Sequence, residues 1–392
     1  MDKSKVSIVK LDNYQAQNVA VAVEKGLGLL GGLEQILKPR SRVFVKINLL
    51  SPASPPDKGI ITHPAFARGV LGLLKEFGAE ITVGDDISSE NGDSFLPSGY
   101  REVCRELDIR LVNLKETGFR EVRCNGKVLE KVYISPLVLE ADFILNLPKL
   151  KTHSYTIYTG AIKNLFGVIP HGLRIKYHRL FQNNEIFSEM LVDILSCAPP
   201  HLTIMDAVMA MEGEGPSAGN VKKVGLILAS RDAVALDAMA TYLIGINPLE
   251  IPTTRLADER GLGQGKIGEI EVMGEDLEEV RVKKFKHSAI AVGLLQKKIP
   301  SFLYAYFQDQ LTLIPKVLKH KCTACGECVR ICPVNAAQRK ERTAWIDEKK
   351  CIHCLCCHEV CPEAAIKLKQ LPIGRAIRGL ATISKRLRSV LD

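Results

Sequence analysis

Apolar and polar positions follow two rhythms over roughly the first 285 residues. Short, nearly continuous apolar runs occur at VSIVKL (Val6 to Leu11), RVFVKINL (Arg42 to Leu49) and ITVGDD (Ile81 to Asp86). Others are ADFILNLPKL (Ala141 to Leu150), LTIMDA (Leu202 to Ala207) and VGLILAS (Val224 to Ser230). Runs of this length and composition predict strands buried on both faces. Between them, Ala16 to Leu30, His63 to Ala79 and Asp232 to Gly245 carry the helical period. In the second of these, Thr62 is the predicted N-cap, Pro64 lies near the first turn and Gly78 ends it. Strands alternating with helices predict an α/β fold, a mostly parallel sheet covered by helices.

In such a sheet, ligands bind outside the carboxyl ends of the strands. Lys46 and Asn48 end one predicted strand, and Asp85 and Asp86 end another. Asn146, Lys149, Lys151, Thr152 and His153 end a third. Asp206 ends a fourth, followed by MEGEGP with Glu212, and TGAIKNLFG offers Lys163 and Asn164 beside a glycine-flanked turn. Alone, each lysine reads as a solvated surface charge and each aspartate as a helix cap. Together they predict one cleft. Lys46, Lys149 and Lys151 would grip a phosphate or carboxylate. His153 would transfer a proton, and Asp85 or Asp206 would orient it or bind a metal. Asn48, Lys163, Asn164 and Glu212 would complete the ligand contacts. Cations this close repel one another unless an anion compensates them. The cleft is therefore predicted to take a small anionic substrate or cofactor.

The C-terminal part changes the picture. CTACGECVRICP (Cys322 to Pro333) recurs in the same spacing as CIHCLCCHEVCP (Cys351 to Pro362). The spacing C-x-x-C-x-x-C-x-x-x-C-P is the bacterial pattern for holding two [4Fe–4S] clusters, the fourth cysteine of each block reaching the other cluster. Cys322, Cys325, Cys328 and Cys361 are predicted to hold one cluster, and Cys351, Cys354, Cys357 and Cys332 the second. Zinc sites use paired C-x-x-C motifs, but the third cysteine and the Cys-Pro ending argue against them. A disulfide framework belongs to secreted proteins. Cys356, adjacent to Cys357, is read as a bystander, and Leu355 replaces the glycine of the first block, Gly326. Cys104, Cys124 and Cys197 lie outside the blocks and read as buried thiols.

Charge refines the division of the chain. Of the formal net charge of +9 over 392 residues, the residues from Lys319 onward carry all but one. Part of that excess offsets the negative clusters; the rest predicts a redox partner protein with an acidic surface. Interleaved aromatics and a recognition motif for nucleic acid are absent. The opening residues carry no apolar signal-peptide core, and no apolar run reaches the length of a membrane span. A cytoplasmic protein is the expectation. The reading divides the chain into an α/β domain (1–284), a packed connector (285–318), the cluster domain (319–369) and a basic amphipathic tail (370–392). The tail's apolar face is assigned to packing on the body rather than to a membrane surface.

The segments VFVKINL, THPAFARGVLGLLKEFGA, NLPKLKTHSYTIYTGAIKNLFGVIP, MDAVMAMEGEGP and ASRDAVALDAMATYLIGINP resemble a widespread prokaryotic family, domain of unknown function three-six-two. PKLKTH together with TGAIKN is specific for it, and fusion to a two-cluster ferredoxin module is common there. Ile47 stands where the family pattern has proline. The resemblance implies an iron–sulfur protein of anaerobic or redox metabolism and supplies no reaction. Three readings follow. The first is an oxidoreductase whose clusters exchange electrons with an anion in the cleft. The second is an adaptor relaying electrons to a docked enzyme, and the third an iron–sulfur maturation factor.

Overall fold

The computed structural model describes residues 3–50, 54–87, 95–288 and 312–370. Its α/β part is built from twelve strands. These are β1 (Ser4–Lys10), β2 (Arg42–Ile47), β3 (Glu80–Asp85), β4 (Arg110–Asn113), β5 (Arg120–Arg123) and β6 (Lys131–Ile134). They continue as β7 (Phe143–Leu147), β8 (Lys149–His153), β9 (Ile157–Thr159), β10 (Leu202–Glu212), β11 (Asn220–Ser230) and β12 (Ile270–Gly274). The main sheet runs β12-β1-β11-β10-β7-β2-β3-β4, with β8 paired to β10 and β9 to β8. Strands β10, β7, β2, β3 and β4 are all parallel, whereas β11 is antiparallel to both its neighbours. This is the mostly parallel, helix-covered sheet that the apolar runs predict.

Period-two alternation sends adjacent residues to opposite cores. Phe44, Ile144 and Met205 face one core; Val43, Val45, Leu145 and Ile204 face the other. Two details differ from the sequence reading. The run Ala141 to Leu150 is two strands, because Pro148 has no N–H to continue the ladder. Strand β7 pairs with β10 at Leu145 and Asn146, and β8 resumes the pairing at Lys149. The helix Pro64–Glu76 is capped by His63, whose Nδ1 accepts from Ala65 N at 3.2 Å, and not by Thr62. The Thr62 hydroxyl instead donates to Leu147 O at 2.6 Å, tying the helix start to the end of β7.

The C-terminal module consists of β13 (Leu313–Val317), β14 (Ala337–Lys340), β15 (Thr343–Ile346), β16 (Ile366–Gln370) and the short helices Glu327–Arg330 and Cys356–Glu359. Strand β13 pairs antiparallel with β16, so Leu313–Val317, read from sequence as connector, is part of this module. The internal repeat appears in the backbone. Ala324 and His353, Gly326 and Leu355, and Asn335 and Ala364 are equivalent pairs, and all six have φ between 47° and 86°. Residues 289–311 of the proposed connector and the tail beyond Gln370 lie outside the described residues. Up to Ser288 the chain follows the body: Gly213 N donates to Lys286 O at 2.7 Å and Ser288 Oγ to His153 O at 3.1 Å.

Candidate functional site

The cysteines line two cavities. One is walled by Cys322, Cys325, Cys328 and Cys361, the other by Cys332, Cys351, Cys354 and Cys357, with Cys356 beside them. Each cavity draws three cysteines from one block and the last from the other. Backbone amides point at the sulfurs: Ala344 N at Cys322 (3.4 Å), Ala336 N at Cys332 (3.1 Å) and Ala365 N at Cys361 (3.2 Å). Such donors stabilise a thiolate and tune the group it holds. Sulfur-lined hollows with aimed N–H groups fit a thiolate-bound iron–sulfur cluster. Leu355 keeps the left-handed conformation of Gly326, at φ 64°, while its side chain is buried beside Leu313 and Leu368.

The predicted cleft residues are buried but do not form one open site. Lys46 follows Phe44 on one face of the sheet; Asp206 lies between Ile204 and Val208 on the other. Lys46 Nζ lies 2.9 Å from Asp85 Oδ1, whose other oxygen accepts from Leu49 N at 2.8 Å. Asn164 closes over this pair, donating to Asn146 Oδ1 at 2.7 Å. A Cβ on Gly167 would fall 2.3 Å from Asp85 Oδ1 and 2.7 Å from Lys46 Nζ, so this contact requires glycine. Lys149 Nζ donates to Asp206 Oδ2 at 2.7 Å and to Tyr14 Oη at 2.9 Å, while Tyr14 Oη donates to Asp206 Oδ1 at 2.8 Å. Backbone N–H groups of His63 and Val208 also reach Asp206.

Two predicted roles therefore need correction. Lys46 and Lys149 are taken up by internal carboxylates and do not grip an outside anion. Burial pulls the pKa of both lysines down, against the pull of their aspartates. Asp85 and Asp206 are spent on lysines and backbone amides, and neither orients His153. Among the described residues, no three His, Cys, Asp or Glu side chains are grouped to hold a metal ion. Removing one partner of such a pair leaves a buried charge uncompensated, which costs about 3–5 kcal/mol. Glu212 is likewise diverted: it accepts from Lys286 N at 2.9 Å and anchors the passing chain.

A different cluster gathers where the C-terminal module meets the sheet. Lys151 Nζ donates to Asn48 Oδ1 at 3.0 Å and Ile60 O at 2.6 Å, and faces no carboxylate at ion-pair distance among the described residues. Burial, with Lys163 and Lys149 nearby, brings its pKa down to about 7. His153 Nδ1 accepts from the backbone N–H of Tyr155 (3.0 Å) and Thr156 (3.2 Å). That fixes the proton of the neutral ring on Nε2. Burial holds its pKa well below the usual value, so His153 acts as an N–H donor rather than the general base read from sequence. Nε2 points at Glu359 Oε1, 3.6 Å away. Lys163 lies over the rings of Phe166 and Phe187, at 4.6 and 5.3 Å, and Glu359 is the carboxylate acting on it. Burial lifts Glu359 to about 7 even though Lys163 and Lys151 oppose the rise.

Sequence reasoning did not single out Glu359, His358, Arg174 or His178. Arg174 belongs to the helix His171–Leu180 and bonds Asp86, and His178 packs on Phe187 at 4.6 Å. Their signal was the basic string HGLRIKYHRL directly after TGAIKNLFGVIP. Glu359 and its neighbour His358 come from the second cysteine block. His358 Nε2 lies 3.3 Å from Ser154 Oγ. The module thus inserts two side chains into the edge of the sheet.

The model of the family Domain of unknown function (DUF362) matches residues 43–242, and that of the 4Fe-4S dicluster domain matches residues 321–365. The chain is similar to the thylakoid-associated protein sll1697 of Synechocystis sp., with 32% identity over 259 residues, covering 66% of this chain and 79% of that protein. Its C-terminal part is similar to a component of the ion-translocating oxidoreductase complex of Methanosarcina acetivorans, 40% identical over 48 residues, covering 12% of this chain and 18% of that protein. Among solved structures, the lactate racemase apoprotein of Thermoanaerobacterium thermosaccharolyticum is similar over 62% of this chain and 58% of that one. The identity there is 11% and the TM-score 0.43. No helix among the described residues is long and apolar enough to cross a membrane.

Proposed function

The chain belongs to the family Domain of unknown function (DUF362), followed by a 4Fe-4S dicluster domain, and from that premise we propose that it is a cytoplasmic oxidoreductase using two [4Fe–4S] clusters. Cys322, Cys325, Cys328 and Cys361 would hold one cluster; Cys351, Cys354, Cys357 and Cys332 would hold the other. Such clusters, when bound, supply one-electron transfer at a potential set by hydrogen bonding and burial. The α/β part binds a small anion. The observation that carries the reading is the seam: Glu359, next to the cysteine loop, reaches His153 and lies in the field of Lys151 and Lys163. Those two cations hold the anion and His153 donates its Nε2–H. Lys46 and Lys149, with their aspartates, keep the sheet edge rigid beneath them.

The electron-transfer adaptor is the second reading, favoured by one observation. Lys151 and His153 are each only 2% exposed, so the seam is closed. In that reading, the basic excess of the C-terminal part docks an acidic partner and the seam only fastens the module. Both readings require about eight iron and eight sulfide per anaerobically purified chain. Stoichiometric zinc without sulfide would overturn both. The first alone requires that an added anion shift the midpoint potential of the clusters, and that Lys163→Ala abolish the shift.

A further inference from the structure

The seam contains a carboxylate that the fold does not need. Glu359 is buried, yet its Oε1 has no hydrogen-bond partner among the described residues. Its nearest donor, His153 Nε2, stands 3.6 Å away, longer than a hydrogen bond. Three further buried atoms of the same constellation are unpartnered: Asp86 Oδ1, Arg174 Nε and His178 Nδ1. These side chains are linked electrically through Lys163, which acts on His153 and His178 and feels Arg174 and Glu359. A buried polar atom without a partner costs about 1–3 kcal/mol, and four around one basic group exceed what packing requires. Lys151 spends two of its three donor hydrogens on Asn48 and Ile60. The remaining hydrogen, the Nε2–H of His153 and the Lys163 ammonium are the donors left at the seam.

We propose that this seam is a binding site for a small carboxylate, and that Glu359 occupies the carboxylate position when no ligand is present. The inference rests on the reading of the α/β part as an anion-binding domain and names the anion's class. The group already there is planar with two acceptor oxygens, and the donors around it are few. That arrangement suits a carboxylate rather than a tetrahedral phosphate with three or four oxygens to satisfy. A ligand carboxylate takes over the contacts of Glu359, whose side chain withdraws with the short helix Cys356–Glu359. Occupancy of the site and the position of the second cysteine loop are thereby linked. His178, Arg174 and Asp86 are left to meet the rest of the ligand.

The test uses full-length, anaerobically purified protein with its iron and sulfide content measured, and sodium acetate as probe. Glu359→Ala removes the internal carboxylate and leaves room for acetate. Calorimetric titration is expected to show acetate binding at least tenfold tighter than to wild type, with the gain lost on adding Lys163→Ala. Glu359→Gln keeps the shape of the side chain and removes its charge. It is expected to gain about threefold, and it decides the matter if Glu359→Ala loses its iron. Equal acetate binding by wild type and the competent variant overturns the proposal. An equal gain for inorganic phosphate overturns the assignment to carboxylates. A gain for acetate without any shift in midpoint potential supports the site and counts against electron exchange with its occupant, so the two failures are distinguishable.

Discussion

Leu355 shows what one residue can reveal about a duplicated loop. The repeat demands a left-handed backbone there, which glycine meets at Gly326 without strain. A leucine in that conformation costs about 1–2 kcal/mol. Its side chain is 2% exposed and packs on Leu313 and Leu368, and deleting such a side chain costs about 2–5 kcal/mol. Packing outweighs strain. Leu355→Gly is therefore expected to destabilise the module by about 1–3 kcal/mol despite restoring the residue of the first block, read as a lower thermal midpoint. A rise in that midpoint would mean that backbone strain dominates. The cysteine spacing was legible because its meaning lies within a dozen consecutive residues. The partners of Lys46 and Lys149 were not, because Asp85 and Asp206 come from different strands, and side-chain reach across a sheet leaves no periodic trace in the chain. Glu359 was hidden for another reason: it lies between two cysteines, where every residue reads as part of the loop.

At the scale of elements, TGAIKN was legible as a site signature, and its structural basis lies elsewhere in the chain. Asp237, in the helix Ala233–Leu243, accepts from Tyr158 Oη at 2.9 Å and from the N–H groups of Ala161 (2.6 Å) and Ile162 (3.0 Å). It holds the start of the helix Ala161–Asn164, and so the placement of Lys163. Burial raises its pKa from 3.8 to about 6, although all three donors favour the ionised form. A carboxyl whose folded pKa lies above its unfolded value stabilises most when protonated. Its contribution is full below the unfolded pKa and is lost as pH rises through about 6. Asp237→Asn cannot titrate and turns an amide donor toward one of the backbone N–H groups. It is expected to be less stable than wild type at pH 5, with the deficit narrowing by about 1–2 kcal/mol by pH 7.5, since a tenfold difference in proton affinity between folded and unfolded chains is worth about 1.36 kcal/mol. Thermal midpoints of both proteins at the two pH values check this. A deficit constant with pH would show that Asp237 is ionised throughout.

At the scale of the whole molecule, the alternation of strands and helices was legible because burial on both sheet faces writes itself into continuous apolar runs. The docking of the module was not, since it depends on a few polar contacts between segments far apart in sequence. His358 Nδ1 lies 2.7 Å from Ile366 O, and a carbonyl only accepts, so Nδ1 carries the proton. Nε2 is then the acceptor for the hydroxyl of Ser154 at 3.3 Å. Ser217 Oγ donates to His358 O at 3.1 Å, and the exposed Lys58 reaches Pro362 O at 3.2 Å. Ser154→Ala leaves a buried ring nitrogen without a donor, at a cost of about 1–3 kcal/mol. Lys58→Ala removes a contact already shared with water and should cost little. If these bonds hold the module to the sheet, Ser154→Ala raises the rate at which the seam opens. Amide hydrogen exchange in Cys356–Glu359 is expected to quicken by about tenfold in that variant, taking about 1.4 kcal/mol per factor of ten, and by less than about twofold in Lys58→Ala. Iron content should match wild type in both, because neither residue approaches a cysteine cavity. Unchanged exchange in Ser154→Ala would place the hold on the module in its apolar contacts, such as Ile175 against the cysteine core, and not in the polar seam.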